Sequence, residues 1–285
     1  MQTSIDIFHP SADGRLTLYA RDHGGDGMAV VCMHGLTRNG ADFARLAAHL
    51  GPRYRVIVPD VRGRGRSDYD PEPANYTPAV YAQDMFALMQ HLGIVRAALI
   101  GTSMGGIMAM VMAMIAPLTV IGMVLNDVGP ELDPAGLKRI ASYAGRTGPV
   151  TNWAEAAEMA RLINETAFPH YRDADWMAFA RRLFHERDGV PAPAYDPAIA
   201  SAFAAPDPEA PPVDMWPIWD RLAAIPVLSL RGELSDLLAA ATVARMRAGH
   251  DRLTAVTIPG VGHAPMLDEP VAVAAIDRFL QEITP

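Results

Sequence analysis

The chain has 285 residues, half of them hydrophobic, enough to bury one sizeable core within a single domain. Its net charge of −8 argues against nucleic acid or an anionic membrane surface as a partner, because affinity for either is built largely from clustered Lys and Arg. The single cysteine, Cys32, rules out an internal disulfide and sits in a strand-like run as a small buried thiol.

Residues 1–6 carry neither a basic n-region nor an apolar h-region, so a cytoplasmic protein is expected. Over residues 4–125 strand-like runs alternate with helical ones, which implies crossover connections and a mostly parallel sheet. The apolar, β-rich run 28–33 leads into His34-Gly35-Leu36-Thr37, and helical spacing over 39–50 stops at Gly51. A strand at 55–58 feeds Pro59-Asp60-Val61-Arg62-Gly63-Arg64-Gly65-Arg66-Ser67. Its Arg-Gly repeat is too short and too embedded for an RNA-binding segment and reads as a loop. Thr77-Pro78 then opens a helix that stops at Gly93.

The apolar run 97–100 enters Gly101-Thr102-Ser103-Met104-Gly105, and an apolar helix follows. A G-x-S-x-G segment between a buried strand and a helix forces a sharp turn that presents the serine hydroxyl at the strand's carboxyl end, beside the helix's first amides. No residue from 97 to 126 is charged, a length that could suggest a membrane span. The elbow glycines, Pro117 and the β-rich run 120–125 instead divide it into strand, buried helix and strand, with the methionines between Met104 and Met114 as core filler.

After Asp127-Val128-Gly129-Pro130 the pattern changes. Residues 131–212 show no convincing strand; 134–146, 151–164 and 174–186 have amphipathic helical spacing, and 191–212 is rich in Pro and Ala. This predicts a helical cap, residues 131–212, inserted into a core made of 1–130 and 213–285. A cap over the elbow would exclude water and shape a pocket. Thr37, Val128, Trp153, Phe168 and Met177 are the candidate substrate-binding residues, with Trp176, Phe179 and Phe184 as further wall candidates; the alternative for each cap aromatic is a place in the cap's own core. Strand patterning returns at 225–230, leading into Arg231-Gly232-Glu233-Leu234-Ser235-Asp236, and at 253–258, leading into Pro259-Gly260-Val261-Gly262-His263-Ala264-Pro265.

A serine hydroxyl needs a base during attack, and His263, a loop histidine beyond a strand, is the candidate. His49, His91 and His250 lie on or beside helical runs and read as surface or packing residues. A carboxylate must hold the imidazole's tautomer, and Asp236 gives the chain order Ser103, Asp236, His263. The backbone amides of Leu36 and Met104 are the expected oxyanion donors. His185-Glu186 lacks a second histidine at helical spacing, and no G-x-G-x-x-G or P-loop pattern is present, so neither metal nor nucleotide cofactor is expected.

The H-G-L-T turn, the P-D-V-R-G-R-G-R-S segment, the G-T-S-M-G-G elbow and the G-V-G-H-A-P turn together resemble the α/β-hydrolase fold superfamily over nearly the whole chain. The resemblance implies an α/β fold with a mostly parallel central sheet flanked by helices and an inserted helical cap. It places the acid at Asp236, leaves Asp127 and Glu233 as competitors, and gives His34 the task of shaping the oxyanion turn. A serine rather than an aspartate at the elbow argues against haloalkane dehalogenase and epoxide hydrolase chemistry. Hydrolysis of a small carboxylic ester or lactone through an acyl-enzyme on Ser103 is the implied activity. Three alternatives stay open: cofactor-free perhydrolysis, carbon-carbon hydrolysis of a ring-cleavage product, and a non-catalytic small-ligand receptor. Carbon-carbon hydrolases often carry Trp after the histidine, where this chain has Ala264-Pro265.

Overall fold

The computed structural model describes residues 4–146, 148–203 and 214–284. The chain opens with an antiparallel hairpin, β1 (Ile5–Pro10) and β2 (Thr17–Asp22), followed by β3 (Ala29–Met33), α1 (Ala44–Leu50) and β4 (Arg55–Asp60). Helix α2 (Pro78–His91) starts where the sequence predicts: Thr77 caps it by accepting from the Val80 amide, and Pro78 occupies the first turn, where a missing N–H costs nothing. Strand β5 (Ala97–Thr102), α3 (Met104–Ile115) and β6 (Val120–Asn126) then divide the uncharged stretch as expected. No helix among the described residues is long and apolar enough to cross a membrane.

Helices α4 (Pro134–Tyr143), α5 (Trp153–Asn164) and α6 (Asp173–Leu183) follow, close to the three amphipathic stretches. One expectation for this region fails. Strands β7 (Phe184–Arg187) and β8 (Val190–Pro193) pair as an antiparallel hairpin where no strand is predicted. Its turn residues Asp188 and Gly189 have φ of 52° and 81°, the positive values a two-residue I′ turn requires and Asp-Gly supplies. Helical spacing continues on paper to 186, which masks the strand, and the Pro/Ala-rich expectation for 204–212 lies outside the described residues. The chain closes with α7 (Trp216–Arg221), β9 (Val227–Gly232), α8 (Ala240–Ala248), β10 (Leu253–Ile258) and α9 (Pro270–Ile283).

Eight strands form one sheet in the order β1-β2-β4-β3-β5-β6-β9-β10, parallel from β4 to β10. Alternation along each strand feeds two cores. Val31, Met33, Leu99, Met123 and Leu125 pack with α2 and α3, whereas Val30, Cys32, Ala98, Ile100 and Val124 pack with α1 and α9. Met108, Met110 and Met112 are fully buried in the first core.

The Arg-Gly loop after β4 is structural. Arg62 is fully buried and donates to Asp84 at 2.7 and 2.8 Å and to Asp70 at 2.6 Å. The same loop docks the hairpin's exit, with the Gly65 amide on the Ala194 carbonyl at 2.7 Å and the Asp196 amide on the Gly63 carbonyl at 2.8 Å. Removing the guanidinium would strand two buried carboxylates. Arg62→Met should therefore lower the unfolding free energy by about 3–5 kcal/mol in urea titrations, and a loss near zero would contradict this role.

Candidate active site

The turn at Ser103 has φ 52° and ψ −114°, a sparsely populated conformation that costs about 1–3 kcal/mol and lifts the side chain off the end of β5. Two glycines make room for it: a Cβ on Gly101 would lie 2.3 Å from the Gly105 backbone, and one on Gly105 would lie 2.1 Å from the Met33 carbonyl oxygen. No side chain fits at either position.

His263, in the turn after β10, brings Nε2 to 2.9 Å from Ser103 Oγ. Its Nδ1 lies 2.8 Å from Oδ2 of Asp127, a fully buried carboxylate at the end of β6. Because a carboxylate only accepts, Nδ1 carries the hydrogen and Nε2 is the acceptor for the serine hydroxyl. Asp127 is itself held: Oδ1 accepts the Gly232 amide at 2.8 Å, and Oδ2 accepts the Ser235 hydroxyl at 2.6 Å.

Asp236, the expected partner of His263, is elsewhere. Arg139 on α4 donates to its two oxygens at 2.5 and 2.8 Å and, as the largest influence, holds the carboxyl below the usual range; Asp236 is also more than a third exposed. Glu233, the other competitor, accepts the Gly260 amide at 2.8 Å. The loop after β9 therefore supplies donors to the carboxylate on β6 rather than a carboxylate of its own. Ser235 and Gly232, the two that do this, carry no chemical signature in sequence.

His34 organises the opposite wall. The Val61 amide donates to its Nε2 at 3.0 Å, so Nδ1 carries the hydrogen and donates to the Gly35 carbonyl at 2.7 Å. That carbonyl belongs to the Gly35–Leu36 peptide, and in a trans peptide the N–H points the other way. The Leu36 carbonyl is fixed separately by Arg64 Nε at 3.0 Å. Neither the Leu36 nor the Met104 amide has an acceptor among the described residues, and Leu36 and Ser103 line the same cavity.

The cavity has a volume of about 80 Å³, and Thr37 is in its wall as expected. Val128, Trp153, Phe168 and Met177 are not among its lining residues. Val128 is fully buried beneath α3 at Gly106, and Phe168 stacks on Tyr171 at 4.6 Å within an aromatic core that also takes Trp176, Phe179, Met177 and Trp153. Phe184, one of the further wall candidates, lines the cavity together with Ile140, Tyr143, Asn164 and Leu183, and Arg38 is the cation in the lining. Arg38 forks onto Asp42 with two bonds of 2.7 Å and lies over the Phe179 ring at 4.3 Å.

Burial pushes the His34 pKa down to about 4, well below its ordinary 6.5. The folded chain thus sheds a proton that the unfolded chain keeps, so the stability His34 contributes is complete above about pH 6.5 and is lost as pH falls toward 4, by about 3 kcal/mol. Urea midpoints measured from pH 7 to pH 4 should fall less steeply in His34→Asn than in the parent; equal slopes would contradict this.

The model of the alpha/beta hydrolase family matches residues 30–276. A 3-hydroxybutyrate-oligomer hydrolase of Cupriavidus necator is 35% identical over 256 residues, 88% of this chain and 87% of that one. A 2-(acetamidomethylene)succinate hydrolase of Mesorhizobium japonicum is 29% identical, over 94% of this chain and 92% of that one. Among solved structures, an alpha/beta hydrolase from Novosphingobium aromaticivorans superposes with a TM-score of 0.91 at 43% identity, covering 99% of both chains.

Proposed function

The chain belongs to the alpha/beta hydrolase family, and from that premise we propose that it hydrolyses carboxylic esters through an acyl-enzyme on Ser103, with hydroxy-acid oligoesters as the leading substrate class. The observation that carries this reading is the continuous hydrogen-bond line from Ser103 Oγ through His263 to Asp127. The similarity to a 3-hydroxybutyrate-oligomer hydrolase over most of both chains supports the substrate class.

In this reading Ser103 Oγ attacks the ester carbonyl carbon while His263 Nε2 takes the hydroxyl proton. The Leu36 and Met104 amides receive the oxyanion, and Asp127 stabilises the imidazolium through Nδ1–H. His263 then returns the proton to the departing alkoxide oxygen, leaving an acyl-enzyme. Water, deprotonated by the same nitrogen, attacks the acyl carbon and releases the acid and Ser103. The described residues within 131–212 act as the cap, contributing Ile140, Tyr143, Asn164 and Leu183 to the wall that excludes bulk water.

Hydroxybutyrate trimers and p-nitrophenyl esters of increasing acyl length, assayed beside ring-cleavage dienoates, test the reading. Ser103→Ala should lower ester kcat/KM by about 10⁶-fold and Asp127→Asn by about 10⁴-fold. Asp236→Asn should stay within about tenfold of the parent, since its carboxylate faces Arg139. Cleavage of a dienoate with esters untouched would transfer the site to carbon-carbon hydrolysis; turnover of neither would favour a ligand receptor.

A further inference from the structure

A second cavity, of about 270 Å³, adjoins the one at Ser103, and Phe184 lines both. Its walls hold Arg21, Arg66, Arg181 and Arg182 against one carboxylate, Asp60, in a chain whose net charge is −8. Asp60 is spent on the backbone, accepting the Gly40 amide at 2.7 Å and the Arg66 amide at 2.9 Å. Arg21 and Arg66 share a third party, Asp6, at 3.0 and 2.5 Å.

The other two arginines, at the end of α6, make no side-chain hydrogen bond to a carboxylate among the described residues. Arg181 lies over the Trp153 ring at 3.6 Å. The carboxylate beside Arg182 is Asp42, whose oxygen is 4.0 Å from its Nε and already takes the fork of Arg38. Arg182 Nε is buried and has no hydrogen-bond partner among the described residues, and the side chain as a whole is 20% exposed. The dipole at the C-terminus of α6 favours cations there, but it offers no acceptor to a guanidinium already pulled from water. Asn39 pins that helix end in place, its amide donating to the Arg182 carbonyl at 2.7 Å.

We propose that this cavity takes a carboxylate carried by the substrate remote from the scissile ester, held by Arg181 and Arg182, with the two cavities meeting at Phe184. The proposal rests on the ester-hydrolase reading and narrows it to acidic esters. A carboxylate fits because guanidinium forks pair with it bidentately, and neither Arg181 nor Arg182 is engaged in such a fork among the described residues.

The test compares a 3-hydroxybutyrate trimer with its methyl ester. The parent should prefer the free acid, and in Arg182→Gln that preference should fall by about ten- to hundredfold, through KM. Arg182→Lys should retain part of it. Arg181→Gln, at an exposed position, should lower it too and covers the event that Arg182→Gln fails to fold. Calorimetric titration of Ser103→Ala with 3-hydroxybutyrate reads carboxylate binding without turnover, so loss of ester hydrolysis and loss of this site are told apart. Binding that depends on Arg182 together with a lost acid preference supports the proposal. Overturning it takes no binding in the Ser103→Ala protein, or binding with no difference between acid and methyl ester in turnover, which would make it a site for a separate anion.

Discussion

A parallel sheet sends the carboxyl ends of its strands to one edge, and everything chemical in this protein hangs from that constraint. Strands β3, β5, β6, β9 and β10 lie side by side in the same direction, so the turns after them meet although they are far apart in sequence. The His34 turn, the Ser103 elbow, Asp127, the Gly232–Ser235 loop and His263 are five such turns. No single element carries the site, and each turn is held by its neighbours: Met33 lies against Gly105, and Ser235 braces Asp127.

The loop after β4, with its buried arginines, extends that support to the β7–β8 hairpin. Arg62 ties the loop to α2 through Asp84, while Arg64, also fully buried, donates to the Leu36 carbonyl at 3.0 Å and to Tyr81 at 3.0 Å. One loop therefore anchors the Leu36 turn on one side and the exit of the β7–β8 hairpin on the other. An Arg-Gly repeat that resembles a nucleic-acid motif in isolation is, in place, an internal ionic strut whose charges are spent on carboxylates, carbonyls and a hydroxyl.

Much of this was legible in sequence because the signals were local. The strand runs, the Thr77-Pro78 cap, the G-x-S-x-G turn and the histidine turn after β10 are each specified by neighbouring residues. What stayed hidden depends on lateral packing. Asp127 and Asp236 follow adjacent parallel strands, with Asn126 paired to Leu230, so both reach the same edge and a linear pattern ranks them equally well. Arg139 decides between them by occupying Asp236, and it comes from α4, nearly a hundred residues away in sequence. Trp153, Phe168 and Met177 carry the composition of a pocket wall, but their side chains join the aromatic cluster of α5 and α6 and do not line the cavity. Helical spacing runs through the first strand of the hairpin and hides it, although Asp188-Gly189 carries the turn signal.

The central claim is that Ser103, His263 and Asp127 act as one relay, and covalent trapping tests it most directly. A fluorophosphonate probe, followed by peptide mass spectrometry, should place one equivalent of phosphonyl adduct on the peptide containing Ser103, with labelling sharply slowed in His263→Ala and Asp127→Asn and retained in Asp236→Asn. Adduct on a different residue, or labelling indifferent to Asp127 and dependent on Asp236, would contradict the account.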